Sequence, residues 1–180
     1  MARIVLLTGG ARSGKSRLAQ ERLARFQRVV FIATAQGLDE EMRRRIALHQ
    51  QKRPESWITI EEPLELARAI ERAGELKADA VLLDCLTLWL SNRMLREWPA
   101  GWSDQKEAVI LEKLQGALNR AALLPAKEFV VISNELGSGI VPENEMARAF
   151  RDLAGRANQA VAAAAAEVQL VVAGLALKMK

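Results

Sequence analysis

The chain has 180 residues, half of them apolar and 27% charged, enough apolar material for a packed core and too much for a disordered tract. Net charge is +4 (26 Lys and Arg against 22 Asp and Glu), a modest surplus that suits phosphate-bearing ligands but lacks the basic stripe of a nucleic-acid binder. One cysteine, Cys85, and one histidine, His49, exclude a disulfide framework and any metal site built on several thiolates or imidazoles.

A strand is predicted over residues 4–8, followed by a glycine-rich loop and a helix over 15–26. Next come a strand over 29–34, a helix over 38–53, and a short alternating strand over 57–61. A helix over 63–76 is expected to take Pro63 into its first turn, and an apolar strand follows over 80–84. Helices over 86–97 and 104–123 are separated by a loop rich in Trp, Pro and Gly, and lead to a strand over 129–133. A long helix over 143–166, entered at Pro142, absorbs an alanine run, and a strand over 168–173 ends the pattern. The main strands are apolar on both faces, as in a buried parallel sheet with right-handed crossovers. No repeat or composition shift marks a boundary, so residues 1–180 are expected to form a single α/β domain. No apolar run reaches the ~18 residues that cross a bilayer, and no signal-peptide pattern opens the chain, so a cytoplasmic protein without a membrane span is expected.

The segment Gly9-Gly10-Ala11-Arg12-Ser13-Gly14-Lys15-Ser16 satisfies the phosphate-loop pattern G-x-x-x-x-G-K-[ST] in full, between a predicted strand and a predicted helix. Glycines let main-chain N–H groups curl around phosphate oxygens, and the helix that follows turns its positive end to the same point. Lys15 is assigned to the β- and γ-phosphates and the Ser16 hydroxyl to Mg²⁺. A purely structural glycine turn is the competing reading; length, position and flanks weigh against it.

Asp84 closes an apolar strand pattern and is expected at the edge where open α/β sheets collect ligands. There it would join Ser16 at the metal or receive a hydroxyl proton; capping the next helix is its plainer role. Glu135 has a similar position after the 129–133 strand and ranks second. His49 shares a helix face with Met42 and Ile46, and Arg45 and Arg53 stand four residues to either side. Two flanking cations would keep the ring neutral, as a phosphorus nucleophile must be. On spacing alone, a structural histidine is the plainer reading.

Five segments together carry a resemblance: GGARSGKS at 9–16, FIATAQ at 31–36, DEEMRRRIALHQQKRP at 39–54, LLDCLTLWLSN at 82–92 and SNELGSGIVPENEMAR at 133–148. With the carboxyl-terminal stretch 150–180, they make the chain resemble the bifunctional adenosylcobinamide kinase/adenosylcobinamide-phosphate guanylyltransferase family. The resemblance implies a P-loop NTPase with a RecA-like, mostly parallel sheet, usually a homotrimer. It implies phosphorylation of adenosylcobinamide by ATP or GTP. Transfer of GMP from GTP through a guanylyl-histidine onto the new phosphate then releases pyrophosphate. By the same resemblance His49 is the guanylylated residue. The nucleotide pocket takes in Gly9 to Ser16, Thr34, Ala35, Gln36, Gln50, Gln51, Lys52, Arg53, Glu61 and Asp84. The corrinoid wants an exposed nonpolar surface, for which Trp89, Trp98 and Trp102 are candidates beside their ordinary packing role.

Two rivals remain at this level: a P-loop small-molecule kinase with a structural His49, and a RecA-like nucleic-acid-binding module. The chain has no aromatic-and-basic tract to favour the latter.

Overall fold

The computed structural model describes residues 1–51 and 53–180; the expected nucleotide contact Lys52 lies outside the described residues. In chain order the elements are β1 (Arg3–Thr8), α1 (Lys15–Leu23), β2 (Val29–Ala33), α2 (Glu40–Gln51), β3 (Ile58–Glu61), α3 (Leu66–Glu75) and β4 (Ala80–Asp84). They continue as α4 (Leu86–Glu97), α5 (Asp104–Leu123), β5 (Glu128–Ile132), α6 (Glu145–Ala164), β6 (Glu167–Val172) and β7 (Leu175–Lys178). One seven-stranded sheet joins them in the order β3-β2-β4-β5-β1-β6-β7. Six strands are parallel, and β7 pairs antiparallel with β6.

Alternate strand residues feed two cores, as the period of two requires. Ile4, Leu6, Val30, Ile32, Val81, Leu83 and Phe129 pack beneath α3, α4, α5 and α6. Val5, Leu7, Phe31, Leu82 and Val130 face the other way, against Ala19 and Leu23 of α1 and the indole of Trp57. No residue of α2 is buried, so this helix joins neither layer.

At the amino ends of the strands, Arg22 of α1 donates to Glu128 of β5 at 2.9 Å and to Glu167 of β6 at 2.8 Å. Arg25 adds a bond to Glu128 and Arg3 one to Glu167. Both carboxylates are buried, and these pairs bind the far end of α1 to the sheet.

Helices α4 and α5 span the predicted residues. The prolines sit differently: α3 begins three residues after Pro63, and α6 begins behind its own cap, Asn144, whose side chain accepts from the Ala147 N–H. Both prolines therefore belong to the approach to a helix and not to its first turn. Strand β7 was not predicted. Its four residues are all exposed, and its direction comes from the turn at Ala173 (φ 52°) and Gly174 (φ 83°), which sends the chain back along β6. No helix among the described residues is long and apolar enough to cross a membrane.

Candidate active site

β1 runs directly into the loop Gly9–Gly14, and the backbone of that loop is held from the β6–β7 side. The Gly174 N–H donates to the Ser13 carbonyl at 2.8 Å, and Arg17 donates to the Gly174 carbonyl at 3.0 Å. A Cβ at Gly9 would stand 2.2 Å from the Val171 carbonyl oxygen, so any side chain there forces the hairpin away from the loop. Gly14 has φ 103° at the start of α1, a left-handed conformation that glycine takes without strain. Lys15 is buried, and its Nζ donates to the carbonyls of Gly9 (2.9 Å) and Gly10 (2.7 Å). Burial lowers its pKa, with nearby negative charge, Asp84 included, opposing.

The carboxyl end of β4 brings Asp84 to the same edge, where Ser16 Oγ donates to Asp84 Oδ2 at 3.2 Å. Burial pushes the Asp84 carboxyl above the usual carboxylate range; the charge of His49, the Ser16 bond and the charges of Arg53 and Lys15 pull it back. A hydroxyl and a carboxylate side by side are the hard oxygen donors that Mg²⁺ prefers. No cluster of three metal-binding side chains exists among the described residues. Ser16 and Asp84 are thus the two side chains here that could hold such an ion. The neighbouring Cys85 is no nucleophile, since burial raises its thiol to about 12.

Helix α2 departs from the sheet and returns to its edge at its last turn. Gln50 Nε2 donates to Glu61 Oε1 at 3.3 Å, joining that turn to the carboxyl end of β3. From there the chain descends across the sheet: the Arg53 guanidinium lies 3.8 Å from the centroid of the Phe31 ring. Burial lowers the Arg53 pKa while Asp84 and Glu61 oppose the shift. Of the three buried side-chain polar atoms without a partner among the described residues, two, Thr8 Oγ1 and Arg53 Nε, belong to this edge. The expected pair of cations around His49 is altered: Arg45 is paired with Glu41, and His49 itself is exposed. Gln51 is exposed, and Ala35 and Gln36 form half-buried coil beyond β2.

Several side chains serve as struts. Thr34 is fully buried, and its Oγ1 donates to the Cys85 carbonyl (2.7 Å) and accepts from the Cys85 N–H (3.0 Å), which joins the ends of β2 and β4. Its hydroxyl is thus committed to the backbone. Helix α4 crosses the strand ends and holds three loops: Thr87 accepts from the Asn134 N–H, Trp89 donates to the Leu64 carbonyl, and Asn92 donates to the Thr34 and Pro63 carbonyls. Asn158 of α6 donates to the Asn134 carbonyl. Sequence reasoning missed Asn92, Thr87 and Asn158; polar residues on otherwise apolar helix faces were the available signal.

Two expectations are corrected. Trp89 is buried, with its N–H used, so it offers no docking surface; Trp98 and Trp102 stack on each other at 6.0 Å and rest against the core. The Glu135 carboxylate accepts from the Gly137 N–H and from the N–H and hydroxyl of Ser138. Its pKa is lowered: burial works the other way and is outweighed by these bonds and by Arg151. It staples its own loop and is a poor proton acceptor.

The fold has known counterparts. An ATPase of the type III secretion system of pathogenic bacteria superposes with TM-score 0.62 over 98% of this chain and 56% of its own, at 13% identity. The secretion ATPase EscN of enteropathogenic E. coli gives TM-score 0.58 over 96% of this chain and 43% of its own, at 14% identity. At such identity the likeness concerns the fold alone: an α/β P-loop ATPase sheet. Two relatives match at the level of sequence. The bifunctional adenosylcobalamin biosynthesis protein CobU of Escherichia coli (strain K12) is 44% identical over 98% of this chain and 99% of its own. CobP of Pseudomonas aeruginosa, which carries the same description, is 44% identical over 97% of this chain and 96% of its own. The cobinamide kinase / cobinamide phosphate guanyltransferase family matches residues 5–179, and with these relatives at 44% identity the chain belongs to that family.

Proposed function

We propose that this chain, a bifunctional cobinamide kinase and guanyltransferase of adenosylcobalamin biosynthesis, runs both group transfers over one triphosphate cradle, with His49 as a covalent relay in the second. Residues 1–180 act as one catalytic domain. In the kinase step the acceptor hydroxyl oxygen bonds to the γ-phosphorus of ATP or GTP. The bridging P–O bond breaks, and the nucleoside diphosphate leaves with the bonding pair. Asp84 receives the hydroxyl proton through Oδ1, the carboxylate oxygen that Ser16 does not engage. Lys15 shifts from the loop carbonyls it now engages onto the phosphate oxygens, where charge gathers in the transition state.

In the guanylyl step an imidazole lone pair of His49 bonds to the α-phosphorus of GTP, and the α-P–O bond to the β-phosphate breaks, releasing pyrophosphate. A phosphate oxygen of cobinamide phosphate then attacks that phosphorus. The P–N bond breaks, its electron pair returns to the ring, and cobinamide-GDP departs. Arg53, with no partner for its Nε among the described residues and its guanidinium over Phe31, supplies positive charge to the α-phosphate. Ser16 and Asp84 are the residues that would hold Mg²⁺, which would supply positive charge to the triphosphate. The nucleotide also meets Gly9 to Ser16, Ala35, Gln36, Gln50, Gln51 and Glu61, with Thr34 acting from behind through Cys85. A cytoplasmic homotrimer completes the reading: Val172, Leu175, Leu177 and Met179 are exposed along the β6–β7 edge, where another copy would cover them. A solution mass of one 19.9 kDa chain would refute the trimer.

The observation that carries the relay is the Gln50–Glu61 bond, which draws the last turn of α2 to the edge holding Asp84. GTP labelled at the α-phosphate is expected to leave an acid-labile, base-stable label on His49. His49→Ala should lose the label and the guanylyl transfer while still phosphorylating cobinamide. An unlabelled wild-type protein with intact guanylyl transfer would refute the relay and leave direct transfer.

A further inference from the structure

The acceptor must reach the outer phosphate from a side of the cradle that is open. β1 has two neighbours in the sheet, β6 and β5. The β6 side is closed, since the hairpin backbone stands so near Gly9 that a methyl group would not fit. The β5 side is built otherwise. β5 lies between β1, which ends in the cradle, and β4, which ends in Asp84, so a molecule seated on the loop after β5 faces both.

That loop begins at the cradle itself: the Glu135 N–H donates to the Gly9 carbonyl at 3.1 Å. It is then fastened on both sides of its crest. Glu135 holds the amides of residues 137 and 138, Arg151 donates to the Gly137 carbonyl at 2.7 Å, and Arg148 donates to the Pro142 carbonyl at 3.0 Å. A Cβ at Gly137 would come within 2.9 Å of a Glu135 oxygen, so a side chain there would make the staple shift. Yet this well-fastened loop turns apolar side chains to solvent: Ile140 is 96% exposed and Val141 62%. A hydrophobic surface held out beside a reaction centre is one that a ligand covers.

Two cavities flank the loop and differ in character. One of about 410 Å³ is polar, bounded by Gly137 and by Arg151, Asp152 and Gln159 of α6. The other, of about 190 Å³, lies beside Asn144 and is walled by Met94, Met146 and Phe150. The acceptor has matching chemistry: a broad, largely apolar macrocycle with a fringe of amide side chains.

Resting on the cobinamide kinase and guanyltransferase reading, we infer that the loop after β5, with Ile140 and Val141 at its crest, is the docking surface for the corrinoid face of the acceptor. The hydroxyl, and later the phosphate, then reaches toward the cradle while the amide fringe engages α6.

The test is steady-state kinetics of the full chain with cobinamide and ATP. Replacing both crest residues (Ile140→Ser with Val141→Ser) is expected to raise the KM for cobinamide about tenfold, leaving kcat and the KM for ATP near wild type. Leu123→Ser, an equally exposed apolar site at the end of α5 near the opposite edge, is the control and should change neither KM. An unchanged cobinamide KM in the double variant overturns the inference, as does an equal rise in the control. A double variant that loses its oligomeric state but keeps its cobinamide KM also overturns it and makes the crest a subunit contact. Labelling of His49 by GTP needs no cobinamide, so failure of the relay registers separately from failure of this surface.

Discussion

The phosphate loop and helix α2 serve one chemistry and are built in opposite ways. The loop is tied by backbone bonds to β6–β7 and β5, its lysine is buried, and the helix behind it is clamped by Arg22. Helix α2 buries nothing and holds its first two turns with ion pairs from Glu40 and Glu41 to Arg43, Arg44 and Arg45. Exposed pairs of that kind contribute little. The grip on a triphosphate comes from a backbone shape that the core enforces. The group that forms a bond to phosphorus rides on an element that the core does not hold. Binding needs a cradle fixed in advance, whereas a relay must meet two successive partners, a nucleotide and then an acceptor.

Substitutions test that contrast, beginning where the loss should be greatest. Arg22→Ala removes the clamp on α1 and leaves Glu128 buried with Arg25, and Glu167 buried with Arg3 and the Gln169 amide, in support. A loss of about 3 kcal/mol is expected in urea unfolding, the lower end of the range for breaking a buried pair because two arginines remain. The effect has a pH signature. The Arg22 hydrogen bond holds the Glu167 carboxyl below its ordinary 4.5. A depressed folded-state pKa means that this stability is present above the unfolded value and disappears as pH falls through the folded one. The gap between wild type and Arg22→Ala should therefore be widest near neutrality and narrow below about pH 4.5. A gap independent of pH would detach the clamp from these carboxylates.

Lys15→Ala should lower kcat/KM for both transfers by about 10²–10³-fold, the scale of losing one preorganised charge contact, with little change in urea midpoint. Loss of one transfer alone would mean that the two reactions do not share a cradle. The smallest effect belongs to α2: Arg45→Ala removes an exposed pair and should shift stability by less than about 0.5 kcal/mol. Amides of α2 should exchange with solvent well before those of α1; equal protection would abolish the contrast between fixed cradle and loosely held arm.

Much of the fold was legible because its signals are local. Strands β1, β2, β4 and β5 are buried on both faces and carry apolar runs of mainly Val, Ile, Leu and Phe, and the phosphate loop is a pattern of backbone conformation that glycines reveal. What escaped was decided at a distance. Strand β7 has no pattern of its own, because its pairing with β6 defines it. Asp84 was legible as a strand-end acid, but nothing local separates it from Glu135, which occupies an equivalent position and spends its carboxylate on its own loop. Trp89 looked available in sequence and is buried, since helix α4 turns it toward the Leu64 carbonyl. His49 could be paired with Arg45 and Arg53 by counting residues, whereas Asp84, the carboxylate its charge acts on, comes from a strand 35 positions away.

By itself the sequence determined an α/β chain with a phosphate loop, and, through five matched segments, its kinship with a two-step transferase. Backbone conformation and hydrophobic period depend on near neighbours, so they can be read in order along the chain. Tertiary structure alone decided which polar groups meet: Ser16 with Asp84, Gln50 with Glu61, and the Glu135 N–H with the Gly9 carbonyl. Those contacts join residues from different strand ends, brought together by burial of apolar faces that carry no record of what will stand beside them at the edge.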